Sequence, residues 1–123
     1  MFRIARFALV LSLLVATVTG PTLLSAGAIN GARYGVYNVT ARNSNRHLPL
    51  TFIGGRVAEV IVEGDGDTEL DLYIYDQNGN LVASDDDDSD YCVATWTPRW
   101  TGTFTIVVMN RGSVYNRYTL RTN

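Results

Sequence analysis

The sequence predicts an all-β domain, an antiparallel two-sheet β-sandwich. Apolar residues recur at every second position through most of the chain after residue 35, as they do where one face of a strand is buried. These runs are rich in β-branched and aromatic residues, and glycine, asparagine or proline separates them. No run has the spacing of an amphipathic helix. Short strands in this arrangement usually pack as two antiparallel sheets.

Eight strands are expected along the chain. They cover residues 36–41, 50–53, 56–62, 70–75, 81–84, 91–97, 103–109 and 116–121. The fourth is the clearest, because Leu70, Leu72 and Ile74 alternate with Tyr73 and Tyr75 and so place apolar side chains on one face. The connections carry turn residues, among them Gly54-Gly55, Asn78-Gly79 and the segments 98–102 and 110–112.

Residues 1–28 have the pattern of a secretory signal peptide. Arg3 and Arg6 precede an apolar run over residues 7–18, and residues 26–28 (Ala-Gly-Ala) offer a small-x-small cleavage site. The run is shorter than the roughly 20 residues that span a membrane, so cleavage is favoured over retention as an anchor. We therefore expect one domain over residues 29–123, free of the membrane after cleavage and secreted, periplasmic or on the cell surface.

Charge and cysteine content narrow the possible partners. All 12 acidic residues lie between Glu59 and Asp90, whereas the 10 arginines lie outside that block and lysine is absent. No nucleic-acid-binding motif accompanies the arginines, so a nucleic-acid partner is not expected.

Cys92 is the sole cysteine, so no intrachain disulfide can form. Because Cys92 alternates with Ala94 and Trp96, we expect a buried thiol, with an intermolecular bridge as the alternative.

The acidic block suggests a calcium site. Carboxylates that crowd at strand ends repel one another unless water, protons or a cation relieve the repulsion, and calcium prefers about six to eight oxygen ligands. In an extended chain the alternating acids of residues 65–71 would project to one side, and the loop after residue 84 could fold over them. The predicted ligands are Asp65, Asp67, Glu69, Asp71, Asp85 and Asp86. The alternative is a solvated loop, as most charge runs are.

Several segments together resemble the bacterial pre-peptidase C-terminal domain family. They are GDGDTELDLYIYD (64–76), Asn78-Gly79, SDD (84–86), WTP (96–98), TGTFTI (101–106), NRG (110–112) and YTL (118–120). The resemblance covers most of residues 52–123. It implies a jelly-roll-like sandwich of the kind that accompanies secreted enzymes and assists secretion, substrate targeting or surface association, and calcium use in some relatives. An unidentified protein or a polysaccharide would be the partner.

A carbohydrate-binding surface is the alternative function. Tyr73 and Tyr75 lie on the face opposite Leu72 and Ile74, and with Trp100 or Tyr115 they could form an aromatic platform for sugar rings. Ordinary cross-strand packing of aromatic residues is the competing interpretation. An exported protein without any ligand is a third possibility.

The residues do not predict an enzyme. His47 is the sole histidine and lies in a polar segment, where we expect it to be exposed, with no neighbouring nucleophile. One histidine and one cysteine also make a zinc site improbable on ligand count. The sequence therefore predicts a non-enzymatic binding or surface-association module with calcium as its tentative cofactor.

Overall fold

The computed structural model describes residues 26–123, so most of the predicted signal peptide (residues 1–25) lies outside the described residues. Within residues 26–123 the chain forms nine strands, and no helix there is long and apolar enough to cross a membrane. The strands are β1 (Tyr34–Val39), β2 (Ser44–Arg46), β3 (Leu50–Phe52), β4 (Ala58–Glu63), β5 (Leu70–Asp76), β6 (Leu81–Asp85), β7 (Tyr91–Trp96), β8 (Gly102–Asn110) and β9 (Asn116–Thr122).

The strands form two antiparallel sheets. The first has the order β1-β9-β4-β7, and the second has the order β2-β8-β5-β6, with β3 also paired to β8. Because β2 pairs with residues 107–109 of β8 and β3 with residues 102–104, these two short strands share one edge position. Counted as one interrupted strand, they give two sheets of four, in the order of an eight-stranded jelly roll. The predicted fold class is therefore confirmed.

Alternate residues of the strands fill the space between the sheets. In β5, Leu70, Leu72 and Ile74 are fully buried, whereas Tyr73 and Tyr75 on the opposite face are partly exposed. Burying one large apolar side chain contributes roughly 1.5–3 kcal/mol. The inward faces of the other strands continue this core with Val39, Phe52, Ala58, Val60, Val62, Cys92, Ala94, Phe104, Ile106, Val108, Tyr118 and Leu120.

Three aromatic rings close the core at the end where β7 finishes and β8 begins. Phe52 lies 5.0 Å from Trp96 and 6.0 Å from Phe104, measured between ring centroids, and Trp96 lies 5.3 Å from Phe104. Trp96 belongs to the first sheet and the two phenylalanines to the second. This aromatic cluster therefore ties the sheets together, and Trp96 packs against the core as predicted.

Side-chain hydrogen bonds link the two sheets at both lateral edges. On one side, an Asp85 carboxylate oxygen accepts from the Val93 amide at 2.8 Å, which joins β6 to β7. On the other side, Asn45 Nδ2 donates to the Asn38 carbonyl and to the Tyr118 hydroxyl, at 2.9 Å each. These bonds connect β2 in the second sheet to β1 and β9 in the first.

Strand β2 was missing from the sequence prediction. It consists of Ser44, Asn45 and Arg46, which have no apolar alternation, and the first and last of them are exposed. An edge strand with water on one face carries no hydrophobic period to detect. The other strands occur where they were predicted, with ends displaced by one or two residues.

The residues just before β1 are part of the fold. Ala28 is 3% exposed and forms an isolated bridge with Phe52. Its amide donates to the Asn123 carbonyl at 3.1 Å, and the Gly27 carbonyl accepts from the Ile53 amide at 2.7 Å. Gly27 and Ala28 therefore pack between the C-terminus and β3, although both precede the predicted domain start at residue 29.

We predict that a chain of residues 29–123 is less stable than one of residues 27–123. The shorter chain loses three backbone hydrogen bonds, including the one from the Gly31 amide to the Ala28 carbonyl, and a buried methyl group, which together contribute at least about 2 kcal/mol. Thermal unfolding of the two purified chains at neutral pH should show a midpoint roughly 10 °C lower for the shorter one. Equal midpoints would show that Gly27 and Ala28 add nothing to the domain.

Candidate functional site

A tight turn and a loop form the candidate site at the end of the sandwich where the aromatic cluster lies. The turn joins β5 to β6, and its leading residue Asp76 accepts from the amides of Asn78 and Asn80 through Oδ1, both at 2.9 Å. These bonds lower the pKa of Asp76, chiefly the one from Asn80. Gly79 has φ of 83°, which suits glycine. The turn is therefore fixed by its own side chain.

The loop between β7 and β8 presents Trp100 to solvent. The Gly55 amide donates to the Pro98 carbonyl at 2.8 Å, and the Gly54 amide donates to the Thr101 hydroxyl at 3.0 Å. A Cβ at Gly54 would overlap the Trp100 backbone, so only glycine allows this approach. The side chain of Trp100 points away from this contact and is 71% exposed.

A cavity of about 320 Å³ lies between the turn and the loop, and we call it the Trp100 pocket. Phe104 and the half-buried Trp96 line its inner part, and exposed Trp100 lines its outer part. The rim carries four exposed polar side chains, none of which bonds to another described residue: Gln77, Asn78, Thr97 and Arg99. The pocket therefore offers aromatic surface beside unused hydrogen-bonding groups.

A second, more polar cavity of about 480 Å³ adjoins the Trp100 pocket and shares Asp76, Gln77 and Thr103 with it. Tyr75 lines this second cavity, and the Arg46 guanidinium lies 6.0 Å from the centre of its ring. The two cavities form one continuous concave surface around the β5–β6 turn.

The three aromatic residues of the predicted platform do not share one surface. Trp100 and Tyr75 lie in the adjoining cavities. The Tyr73 hydroxyl instead donates to Asp71 at 3.2 Å and accepts from Arg111 at 3.1 Å. Burial raises the pKa of Tyr73, and the hydrogen bond from Arg111 opposes that shift. Tyr73 is therefore held by the ion pair of Asp71 and Arg111, on the side of Tyr75 that faces away from the β5–β6 turn.

The predicted calcium ligands lie toward the opposite end of the strands. Strand β5 runs from the acidic loops to the β5–β6 turn over seven residues, which is roughly 20 Å at the usual rise. Residues 64–69 form a loop, and Gly66 has φ of 89°, so Asp65 and Asp67 do not continue the line of Asp71 as an extended strand would. The predicted single row of carboxylates is therefore absent from this loop.

Several of these carboxylates accept hydrogen bonds from loop amides. Asp65 accepts from the amides of Asp67 and Arg117, at 3.0 and 2.9 Å. Asp90 accepts from the Gly66 amide at 2.6 Å. Such bonds satisfy backbone donors where the chain turns away from the sheets. They give the dense aspartates a structural role that charge alone did not indicate.

Two buried asparagines complete this end of the sandwich, and the sequence analysis missed both. Asn116 accepts from the Asp65 amide and donates to the Thr68 hydroxyl at 2.9 Å. Asn110 donates to the carbonyls of Val39 and Val114. Both have no exposed surface. In a sequence, asparagines at strand ends indicate turns. The burial of these two comes from contacts with loops distant in sequence, which a local pattern cannot show.

Asp71 is the most buried of the predicted calcium ligands, at 2% exposure. One carboxylate oxygen accepts from Arg111 Nε at 2.5 Å, and the other is buried with no partner among the described residues. The hydrogen bond to Asp71 raises the pKa of Arg111. A half-exposed arginine therefore already balances the charge of Asp71.

The remaining predicted ligands are dispersed. Asp85 holds the Val93 amide, and Asp86 is exposed just beyond β6. Among residues 26–123, no three histidine, cysteine, aspartate or glutamate side chains form a group that could hold a metal ion. The side chains as arranged thus do not fit a preformed calcium site, and calcium binding stays a prediction.

His47 is half-buried, and the expected exposed position was wrong. Its Nε2 lies 2.7 Å from the hydroxyl of Tyr118, a fully buried residue, and its ring packs edge-on against Tyr37 at 4.5 Å. Asn45 donates to the same hydroxyl, so the phenolic hydrogen remains available to Nε2 of a neutral His47. Burial lowers the pKa of His47 and raises that of Tyr118 to about 12.

Cys92 is a buried thiol, as predicted. It has no exposed surface, and its Sγ donates to the Leu70 carbonyl at 3.2 Å. Burial, reinforced by the charge of Asp85, raises the pKa of Cys92 to about 12. The thiol therefore remains protonated at neutral pH and is a poor nucleophile.

No protein-family model matches the chain, and no curated protein matches it. Among solved structures, the chain is similar to one of the CBM22-1 and GH10 modules of the N-terminal endo-1,4-beta-D-xylanase 10B of Clostridium thermocellum, complexed with xylohexaose. Identity is 13%, the TM-score is 0.34, and the match covers 82% of this chain but only 28% of the other. Similarity at this level assigns neither a family nor a ligand.

We predict that stability falls as the pH drops below the ordinary His47 pKa of 6.5. Since the folded-state pKa is lower, this contribution is complete above pH 6.5 and is lost as the pH falls through the folded value. Burial disfavours the charged imidazole in the folded protein, and each kcal/mol lost on its protonation lowers the unfolding midpoint by roughly 4–8 °C. His47→Gln keeps an acceptor for Tyr118 without titrating, so its midpoint should fall less between pH 7.5 and 5.5. An equal fall in the unfolding midpoint of His47→Gln and of the unchanged chain would contradict the role assigned to His47.

Proposed function

We propose that this chain is a non-enzymatic binding module that holds a neutral sugar ring of a polysaccharide in the Trp100 pocket. The observation that carries the proposal is the exposed Trp100 indole on the wall of a cavity of about 320 Å³. An aromatic side chain that borders a concave surface and is exposed to water is available to pack against a ligand. Sugars bury the apolar faces of their rings against such side chains.

The rim of the pocket supports the same ligand class. Gln77 and Asn78 each offer an amide donor and an acceptor, and Arg99 offers further donors. Hydroxyl groups around a sugar ring both donate and accept, so mixed groups of this kind match them. A purely apolar ligand would leave these groups without partners when it displaced their water.

The continuous surface toward Tyr75 supports a polymer rather than a single ring. The Trp100 pocket and its neighbour share Asp76, Gln77 and Thr103, so a chain of sugars could pass around the β5–β6 turn. Tyr75 would then contact a second ring. The jelly roll contributes by fixing both cavities on strand ends and tight turns, which limits the ordering entropy lost on binding.

We also propose that the chain is an exported module of the pre-peptidase C-terminal type, stabilised by calcium at its acidic end. Support comes from the family-like segments between residues 64 and 120, the jelly-roll strand order and the unpartnered buried oxygen of Asp71. Backbone carbonyls and water would have to complete any calcium shell there. The two proposals concern opposite ends of the strands and can be tested separately.

We predict that Trp100→Ala weakens oligosaccharide binding by at least about tenfold, which corresponds to 1.4 kcal/mol for the lost aromatic contact. Titration with cellohexaose, xylohexaose and chitohexaose, followed by amide chemical shifts, would measure the affinity. Tyr115→Ala is the matched control, because Tyr115 is also exposed but lies in the loop between β8 and β9. Binding that survives Trp100→Ala, or the absence of binding to the whole panel, would count against the pocket.

We predict that millimolar calcium raises the unfolding midpoint relative to excess chelator. A ligand at 100 times its dissociation constant adds about 2.7 kcal/mol, or roughly 10 °C or more for a domain of this size. Asp86→Asn should abolish the increase, whereas Asp88→Asn, which changes a carboxylate outside the predicted set, should preserve it. A midpoint that does not respond to calcium would leave the acidic run as a hydrogen-bonded and solvated loop.

A further inference from the structure

A third cavity, of about 310 Å³, lies on the lateral edge where β1 faces the β2–β3 connection. Its lining includes Arg33, Tyr34, Tyr37 and His47. Tyr34 is 68% exposed, and Tyr37 is also exposed. We call it the His47 pocket. It shares no residue with the Trp100 pocket and plays no part in the proposal above.

The protonation state of His47 provides a donor in this pocket. In the tautomer whose Nε2 accepts the phenolic hydrogen of Tyr118, the neutral ring carries its hydrogen on Nδ1. Nδ1 bonds to no other group in the described part of the chain. The pocket therefore presents a fixed N–H donor that needs an acceptor.

The charge around the pocket points to an anion. The exposed Arg33 guanidinium forms no ion pair with any described residue. Neither this pocket nor the adjoining cavity of about 220 Å³, which also contains Arg33, is lined by aspartate or glutamate. Arg33 is therefore the charged side chain that a ligand in either cavity would meet. A carboxylate could accept from His47 and pair with Arg33.

The aromatic rings add a requirement for a flat or ring-shaped ligand. The exposed rings of Tyr34 and Tyr37 border the same cavity as the two nitrogen donors. A Cβ at Gly35 would overlap the Tyr37 side chain, so this position of the Tyr37 ring along β1 requires glycine at position 35. We propose that the His47 pocket is a second ligand site, which binds a six-membered ring bearing a carboxylate, of the kind found in a uronic acid sugar.

The proposal predicts that trigalacturonate binds this edge and that its neutral counterpart, galactotriose, binds it at least about fivefold more weakly, as loss of roughly 1 kcal/mol implies. Amide chemical shifts of residues 33–37 and 47–48 would report binding. Arg33→Gln should weaken trigalacturonate binding by a similar factor. Raising the salt concentration should weaken it further, because exposed charges are screened.

Matched variants separate this site from the Trp100 pocket. Arg99→Gln changes an arginine at the other site and should leave trigalacturonate binding unchanged, as should Trp100→Ala. Tyr34→Ala removes an exposed ring and should weaken it without lowering the unfolding midpoint. Equal binding of trigalacturonate by Arg33→Gln and the unchanged chain would overturn the proposal. Tighter binding of benzoate than of galacturonate at the same residues would overturn the sugar assignment.

Discussion

Contact among the rings of Phe52, Trp96 and Phe104 is the interaction on which the rest of this structure depends. The three residues come from both sheets, so their packing sets the distance between the sheets where the core would otherwise open to water. Two of the same rings line the Trp100 pocket from inside. A change that loosened the cluster would therefore damage stability and the candidate sugar site together. A substitution in the cluster could not separate the two effects. Trp100 is exposed and outside the cluster, so its substitution tests binding alone.

At the acidic end, amide hydrogen bonds and an ion pair accommodate several of the crowded carboxylates. Asp65 and Asp90 accept hydrogen bonds from loop amides, and Asp71 forms an ion pair with Arg111. Each such bond offsets part of the mutual repulsion. Among the described residues, the one buried carboxylate oxygen without a partner belongs to Asp71. The case for calcium therefore depends on this Asp71 oxygen and not on the number of aspartates.

Local patterns predicted most of the fold, and contacts distant in sequence account for what they missed. Strands such as β5 were predictable because burial imposes a period of two, whereas β2 is too polar and exposed to show one. His47 and Tyr118 are 71 residues apart, so no local pattern could reveal their bond. The candidate site divides in the same way. Trp100 was identified as a potential ligand contact, but its pocket depends on a turn and a glycine, Gly54, that approach it only in the folded chain.

The packing of Gly27 and Ala28 sets folding in competition with cleavage of the predicted signal peptide after Ala28. A peptidase binds its substrate as an extended strand, and it requires free backbone groups on both sides of the bond that it cuts. In the folded domain the Gly27 carbonyl and the Ala28 amide are already bonded to Ile53 and Asn123. The bond after Ala28 is therefore a substrate only in a chain that has not yet folded. The predicted cleavage after Ala28 would therefore have to precede folding.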